Sequence, residues 1–219
     1  MDELIKLMAV YAIPVIFAIT LHEGAHAYAA RYFGDNTAYV LGRMSLNPFK
    51  HIDPIGTLLI PVGLYLLTGG AFVFGYAKPV PINFSKLNKP KRDMAWVALA
   101  GPAANFVMAL GWILVSILLQ KAHVEEVFFL EVARAGITAN LVMFALNLFP
   151  MLPLDGGRIL VSILPMKQSI QFSKIEPYGF VIVLVLMYLN IFTYWLNLVM
   201  MLTQALLQLI LSPLQFLLN

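Results

Sequence analysis

Apolar residues in this chain come in long runs, separated by short polar or Pro/Gly-rich stretches. Runs of that length and composition read as membrane-crossing helices. Six stand out, at about 4–33, 53–70, 93–119, 132–149, 178–192 and 195–211. The first ends at Gly34-Asp35-Asn36, a helix stop, and Pro14 should kink it. The second opens at Pro54 and closes at Gly69-Gly70, with Pro61 between them, so it is either bent or re-entrant. The fourth leads into Pro150 and Pro153, which must break a helix, and a short helix is predicted over 156–164. The stretches from Gln120 to Glu131 and from Lys167 to Pro177 are expected as polar connections.

Residues 71–83 fit neither pattern. Aromatic and β-branched residues, with prolines at edge-compatible places, suggest extended backbone. Such backbone is tolerated at membrane depth only against protein or a water-filled cavity. The stretch from Phe72 to Val80 is therefore either a strand edge that takes up an extended peptide or a plain interfacial loop with aromatic anchors. The expected fold class is an all-α polytopic membrane protein of about six transmembrane helices, with this short extended or β segment near 71–83. The whole chain, 1–219, is expected as one domain, with a core over about 4–160 and accessory helices over about 178–211.

Composition sharpens this picture. Of 219 residues, 61% are hydrophobic and 11% charged, and the mean hydropathy is +0.84; a soluble domain carries roughly 25% charged residues. Such a chain cannot cover a soluble surface. The net charge of +3 calls for no nucleic-acid partner. Basic residues serve topology instead: Lys6, Lys78, Lys86, Lys89, Lys91, Arg92, Arg158, Lys167 and Lys174 would share one side of a six-span bundle. Arg31, Arg43, Lys50, Lys121 and Arg134 would share the other, a bias that puts both termini in the cytoplasm. The N-terminus lacks the pattern of a cleaved signal peptide. With no cysteine, disulfides and thiolate metal sites are excluded.

The candidate chemistry sits in the first run, at His22-Glu23-Gly24-Ala25-His26. On a helix, His22 and His26 project from one face and can grip one zinc ion, leaving room for a third ligand and a water. Glu23 lies about 100° round the helix, placed to take a proton from that water. The pattern also arises by chance on helix surfaces, but ionisable residues within a membrane span are expensive and mark function. The second informative stretch is Asn147 to Arg158, where a broken helix precedes Asp155-Gly156-Gly157. Asp155 is the best candidate for the third ligand; its ordinary alternative is an N-cap for the short helix. Asn147 could cap, bridge helices or donate to a developing oxyanion. Asn105 is expected to bond to a neighbouring helix, and His123, in the polar link, is a further possible ligand.

Together these motifs resemble the site-2 proteases, intramembrane zinc metalloproteases of peptidase family M50. The resemblance covers most of Ala18 to Ile159 and includes Gly75-Tyr76-Ala77-Lys78-Pro79-Val80 and Gly101-Pro102-Ala103-Ala104-Asn105. It implies one zinc ion per chain held by His22, His26 and Asp155, with Glu23 activating the water. It also implies that Asn147, eight residues before Asp155 as in the family, helps bind the scissile peptide or its oxyanion. The expected form is minimal, without a span before the motif and without a PDZ or CBS domain. The expected substrate is a transmembrane protein or peptide, cut within or near its membrane segment in a prokaryotic cell membrane, with no nucleic acid involved. The rival readings are a zinc-binding transporter or sensor and an inactive substrate-binding relative. Segments five and six offer no ionisable relay for transport.

Overall fold

The computed structural model describes residues 2–69 and 77–218. It is all-helical. Helix α1 (Asp2–Tyr32) carries the His-Glu-His turn and ends at Gly34, whose φ is 109°. A single turn, α2 (Thr37–Val40), follows. Asp53 caps the next element, its carboxylate accepting from the N–H groups of Ile55 and Gly56. A π-helical turn, Pro54–Leu59, then runs into α3 (Ile60–Thr68), which closes at Gly69 with φ 62°. Helix α4 (Pro90–Lys121) starts with proline at its first position, as helices tolerate, and α5 (Val127–Asn147) returns antiparallel to it. The broken stretch leads into α6 (Asp155–Ile163), α7 (Met166–Ser173), α8 (Glu176–Tyr188) and α9 (Ile191–Leu218).

Among the described residues, four helices are long and apolar enough to cross a membrane: α1, α4, α5 and α9. The pair α7 and α8, bent by 70°, would make a fifth if taken as one span. The chain is therefore a multi-pass membrane protein, but the six spans expected from sequence are not all found. Residues 54–68 would rise only about 22 Å as a helix at about 1.5 Å per residue, against a hydrocarbon core of about 30 Å. The fifth run is cut at both ends, by the bend before Glu176 and by Asn190, whose φ is 59°. Two expected connections are also partly helical. Helix α5 begins at Val127 inside the expected link, and Met166–Ser173 forms α7 where a polar connection was anticipated.

The expected β segment is not found among the described residues; 71–76 lie outside them, and 77–83 are irregular. Nor do 78–81 offer free donors to a peptide. Pro79 and Pro81 have no N–H. The N–H of Lys78 donates to His51 O at 3.0 Å, and that of Val80 to Glu23 Oε2 at 2.7 Å. Arg43 Nη2 donates to the carbonyls of Lys78 and Pro79.

Helix α4 is the hub. It packs against α1, α5 and α6, while α1 also packs against α5 and α9 against α5. The helices meet on small residues: Ala18, Ala27, Ala30, Ala109, Ala133 and Ala145 are all fully buried. Lipid tails give helices no hydrophobic reason to associate, so close backbone approach and interhelical hydrogen bonds do the holding. Trp195 illustrates the second, donating from α9 to Ala145 O on α5 at 2.8 Å.

Candidate metal centre

Helix α1 stacks His22 and His26 one turn apart, both buried. Their rings sit edge to face, with centroids 4.6 Å apart, and their Nε2 atoms 3.1 Å apart. Each Nδ1 is engaged from behind. His26 Nδ1 lies 2.7 Å from Val97 O, and His22 Nδ1 lies 2.7 Å from Asn105 Oδ1, both on α4. A carbonyl oxygen only accepts, so both imidazoles carry their proton on Nδ1 and turn an Nε2 lone pair to the front.

Asp155 reaches the same point from α6. The chain breaks after α5 and doubles back beneath α6, and two glycines permit the contact. A Cβ on Gly156 would collide with the carbonyls of Leu148 and Phe149, and one on Gly157 with the backbone of Met151 and Leu152. Asp155 is the first residue of α6; Leu154 holds the N-cap position without any side-chain capping bond. The capping alternative is thereby set aside, and the carboxylate faces the histidines.

Its Oδ2 lies 3.3 Å from each Nε2, is buried, and has no hydrogen-bond partner. Three atoms able to offer lone pairs thus converge, and with both imidazoles neutral the arrangement repels unless a cation sits among them. The separations of 3.1, 3.3 and 3.3 Å match the edge of a tetrahedron of about 3.3 Å that zinc–ligand bonds of about 2.0 Å would give. His22, His26 and Asp155 are the group of buried donors able to hold a metal among the described residues. Gly101 leaves the space. A Cβ there would press on His26 Nε2 and lie 2.6 Å from Cε1 of both rings. The donor set fits zinc, which takes nitrogen and carboxylate ligands readily.

The remaining candidates separate. Glu23, half-buried, is not one of the three converging donors; its Oε2 accepts the Val80 N–H. Asn147 donates from Nδ2 to Met143 O on its own helix at 3.0 Å, so the structure ties it to α5. His123 occupies an exposed turn with φ 49° and is not among the converging donors. Asn105 bonds between helices, as expected, but to a candidate ligand. The Val97 carbonyl, the Val80 N–H and Gly101 escape sequence reading, although the spacing Gly101-x-x-x-Asn105 was visible on one helix face.

A buried His-His-Asp donor set, with a glutamate beside it on an H-E-x-x-H turn, defines the metallopeptidase class. The comparison with known proteins agrees: the family model described as peptidase family M50 matches residues 10–136. The chain belongs to that family, the site-2 proteases, and is a metalloprotease. It is 38% identical over 191 residues to the protein named “Putative zinc metalloprotease YwhC” of Bacillus subtilis (strain 168), covering 83% of this chain and 81% of that one. It is 32% identical over 173 residues to “Putative zinc metalloprotease Rip2” of Mycolicibacterium smegmatis, covering 78% of this chain but 64% of the relative. The Mycobacterium tuberculosis (strain H37Rv) protein of the same name is 29% identical over 171 residues. No solved structure matches the chain.

Proposed function

We propose that this protein is an intramembrane zinc metalloprotease that hydrolyses peptide bonds within or near transmembrane segments of other membrane proteins. The observation that carries the reading is the convergence of His22, His26 and Asp155 inside the bundle. Two of the three stand on α1, whose membrane-length stretch runs from Ile5 to Tyr32. They would hold one zinc ion per chain.

When bound, that ion supplies a Lewis acid that acidifies a water and polarises the scissile carbonyl. The chain's own groups do the rest. Val97 O and Asn105 Oδ1 keep the two imidazoles turned forward. Glu23 takes the water proton and passes it to the leaving amine, as general bases of this kind do; the Val80 N–H holds its carboxylate until then. Asn147, with one Nδ2 proton on Met143 O, has its second N–H to offer the substrate peptide or its oxyanion. A substrate helix must unwind locally, because a helical carbonyl is occupied by its own hydrogen bond.

The test is direct: wild type and Glu23→Gln are reconstituted with a single-span substrate, and fragments are counted with and without a chelator. Two fragments that require metal and Glu23 support the reading. Full turnover by Glu23→Gln would sink the assignment of the base. Binding without cleavage under all conditions would favour the transporter or inactive-relative readings.

In this reading the protein resides in a prokaryotic cell membrane with both termini on the cytoplasmic side, which needs an even number of crossings. The absence of cysteine suits the check: single cysteines added at each end should react only with a label that enters the cytoplasm. Reaction from outside at either end would overturn that orientation.

A further inference from the structure

Behind the metal centre runs a chain of buried amides that the proteolytic step does not use. Asn105 on α4 and Asn140 on α5 are both fully buried. Asn105 Oδ1 lies 2.7 Å from His22 Nδ1. Asn105 Nδ2 donates to Asn140 Oδ1 at 3.0 Å and to Ala18 O at 3.3 Å. Asn140 Nδ2 in turn donates to Gly136 O at 2.8 Å.

An amide side chain has a donor end and an acceptor end, and each could in principle point either way. Here the ends are dictated. Gly136 O is a main-chain carbonyl and can only accept, so Asn140 must turn its Nδ2 to it and its Oδ1 to Asn105. Asn105 must then present Nδ2 to Asn140 and Oδ1 to His22; the longer bond to the Ala18 carbonyl, 3.3 Å against 3.0 Å, favours the same orientation. His22, facing an acceptor, keeps its proton on Nδ1. Polarity is thus passed from a backbone carbonyl of α5, through two side chains, to a ring nitrogen of α1. His26 gets the same instruction in one step from Val97 O.

We propose that Asn140, acting through Asn105 and together with the Ala18 carbonyl, is a positioning residue that biases the imidazole proton of His22 to Nδ1 and so keeps its Nε2 lone pair committed to the metal. The inference rests on the reading of His22 as a ligand. A partner behind a ligating histidine fixes its tautomer and ring orientation, and its loss typically costs about 10–100-fold in metal affinity or activity. The unusual feature here is length: Asn140, which helps set the polarity, is two hydrogen bonds from the ring. A structural role alone would tie α5 to α4 without regard to which imidazole nitrogen is protonated.

The test reads that proton. The full-length protein, labelled with ¹³C and ¹⁵N at histidine and stripped of metal, is studied by solid-state NMR in lipid bilayers. His22 and His26 should both appear as single Nδ1–H tautomers in the wild type. In Asn140→Leu, with the longer bond to Ala18 O alone left to orient Asn105, His22 should gain a measurable Nε2–H share while His26, held by Val97 O, stays unchanged and reports an intact bundle. Zinc affinity measured by chelator competition should fall by about tenfold. Three results would overturn the proposal: a mixed or Nε2–H His22 in the wild type, which needs no variant to fold; an unchanged His22 in Asn140→Leu; or equal disturbance of both histidines. Zinc content of the wild type is read separately. An Nδ1–H His22 in a protein that binds no zinc would leave the relay standing and remove the metalloprotease reading.

Discussion

The core formed by α1, α4, α5 and α6 differs from the C-terminal helices α7 to α9 in what is done with buried polar groups. In the core, His22, His26, Asn105, Asn140 and Asp155 are buried and reach between helices. In the C-terminal set, buried Thr203 donates back to Val199 O on its own helix; its polar contacts with the core include the Trp195 bond and the Arg158–Glu176 ion pair at 2.9 Å, beside apolar packing such as Leu207 on Ala109 and Leu141. A polar group in hydrocarbon is expensive unless paired. Pairing it within one helix only neutralises that expense. Pairing it across helices fixes the position of one helix on another, and the core uses this to aim three lone pairs at one point.

The contrast can be broken most severely at Asp155. Asp155→Ala removes the candidate ligand on α6 and should abolish both zinc binding and proteolysis, whereas Thr203→Ala should leave both intact. Thermal unfolding in detergent would show whether either change disturbs the fold. Equal effects of the two would erase the distinction between the regions.

A second pair of substitutions sharpens the comparison inside one helix. A Cβ on Gly101 meets both histidine rings, but one on Gly111 of the same helix meets nothing within 4 Å. Gly101→Ala should therefore cost most of the zinc affinity, while Gly111→Ala should be neutral or stabilise by roughly 0.5–1 kcal/mol through backbone entropy. Titration of both variants against a competing chelator decides it; equal affinity would mean that α4 does not press on the site as described.

Val80→Pro removes the N–H that holds Glu23, together with the valine side chain, and fixes φ. A hydrogen bond to a charged group is worth about 1.5–3 kcal/mol, so turnover should fall by about tenfold or more with zinc content unchanged. Val80→Ala, which keeps the N–H, controls for lost packing against Ala27 and Ala38. Equal turnover in the two variants would show that the bond does nothing for the base.

The smallest expected effect lies outside the spans, at Asp35. Burial pushes its carboxyl up, but bonds from the Thr37 hydroxyl at 2.5 Å, from the N–H groups of Asn83 and Thr37, and the nearby Lys86 together hold it below the ordinary value of 3.8. A depressed value in the folded state means stabilisation that is complete above 3.8 and is lost as pH falls through the folded value. Asp35→Asn should flatten this acid limb in thermal unfolding measured against pH and leave neutral activity alone. An unchanged acid limb would contradict the assignment.

Much of the core was legible in the sequence because its signals are side-chain identities at fixed spacing. His22 and His26 four apart on an apolar run, and Asp155 followed by two glycines after a proline break, could be read without coordinates. Three things could not. The groups behind and beside the site include main chain, namely the Val97 carbonyl and the Val80 N–H, and main chain carries no composition. The number of spans turned on where apolar runs end, and Gly69 with φ 62° and Asn190 with φ 59° close two helices that are too short by themselves. The region near 71–83 has the composition of a strand, yet Pro79, Pro81 and the engaged N–H groups of Lys78 and Val80 leave 78–81 without free donors.

The central claim is that two motifs more than 120 residues apart in sequence form one metal site. Metal content of the detergent-purified protein, wild type beside Asp155→Ala, tests it most directly. The account predicts about one zinc per chain in the wild type and none in a folded Asp155→Ala protein. A folded wild type without metal, or a variant that keeps its zinc, would contradict it.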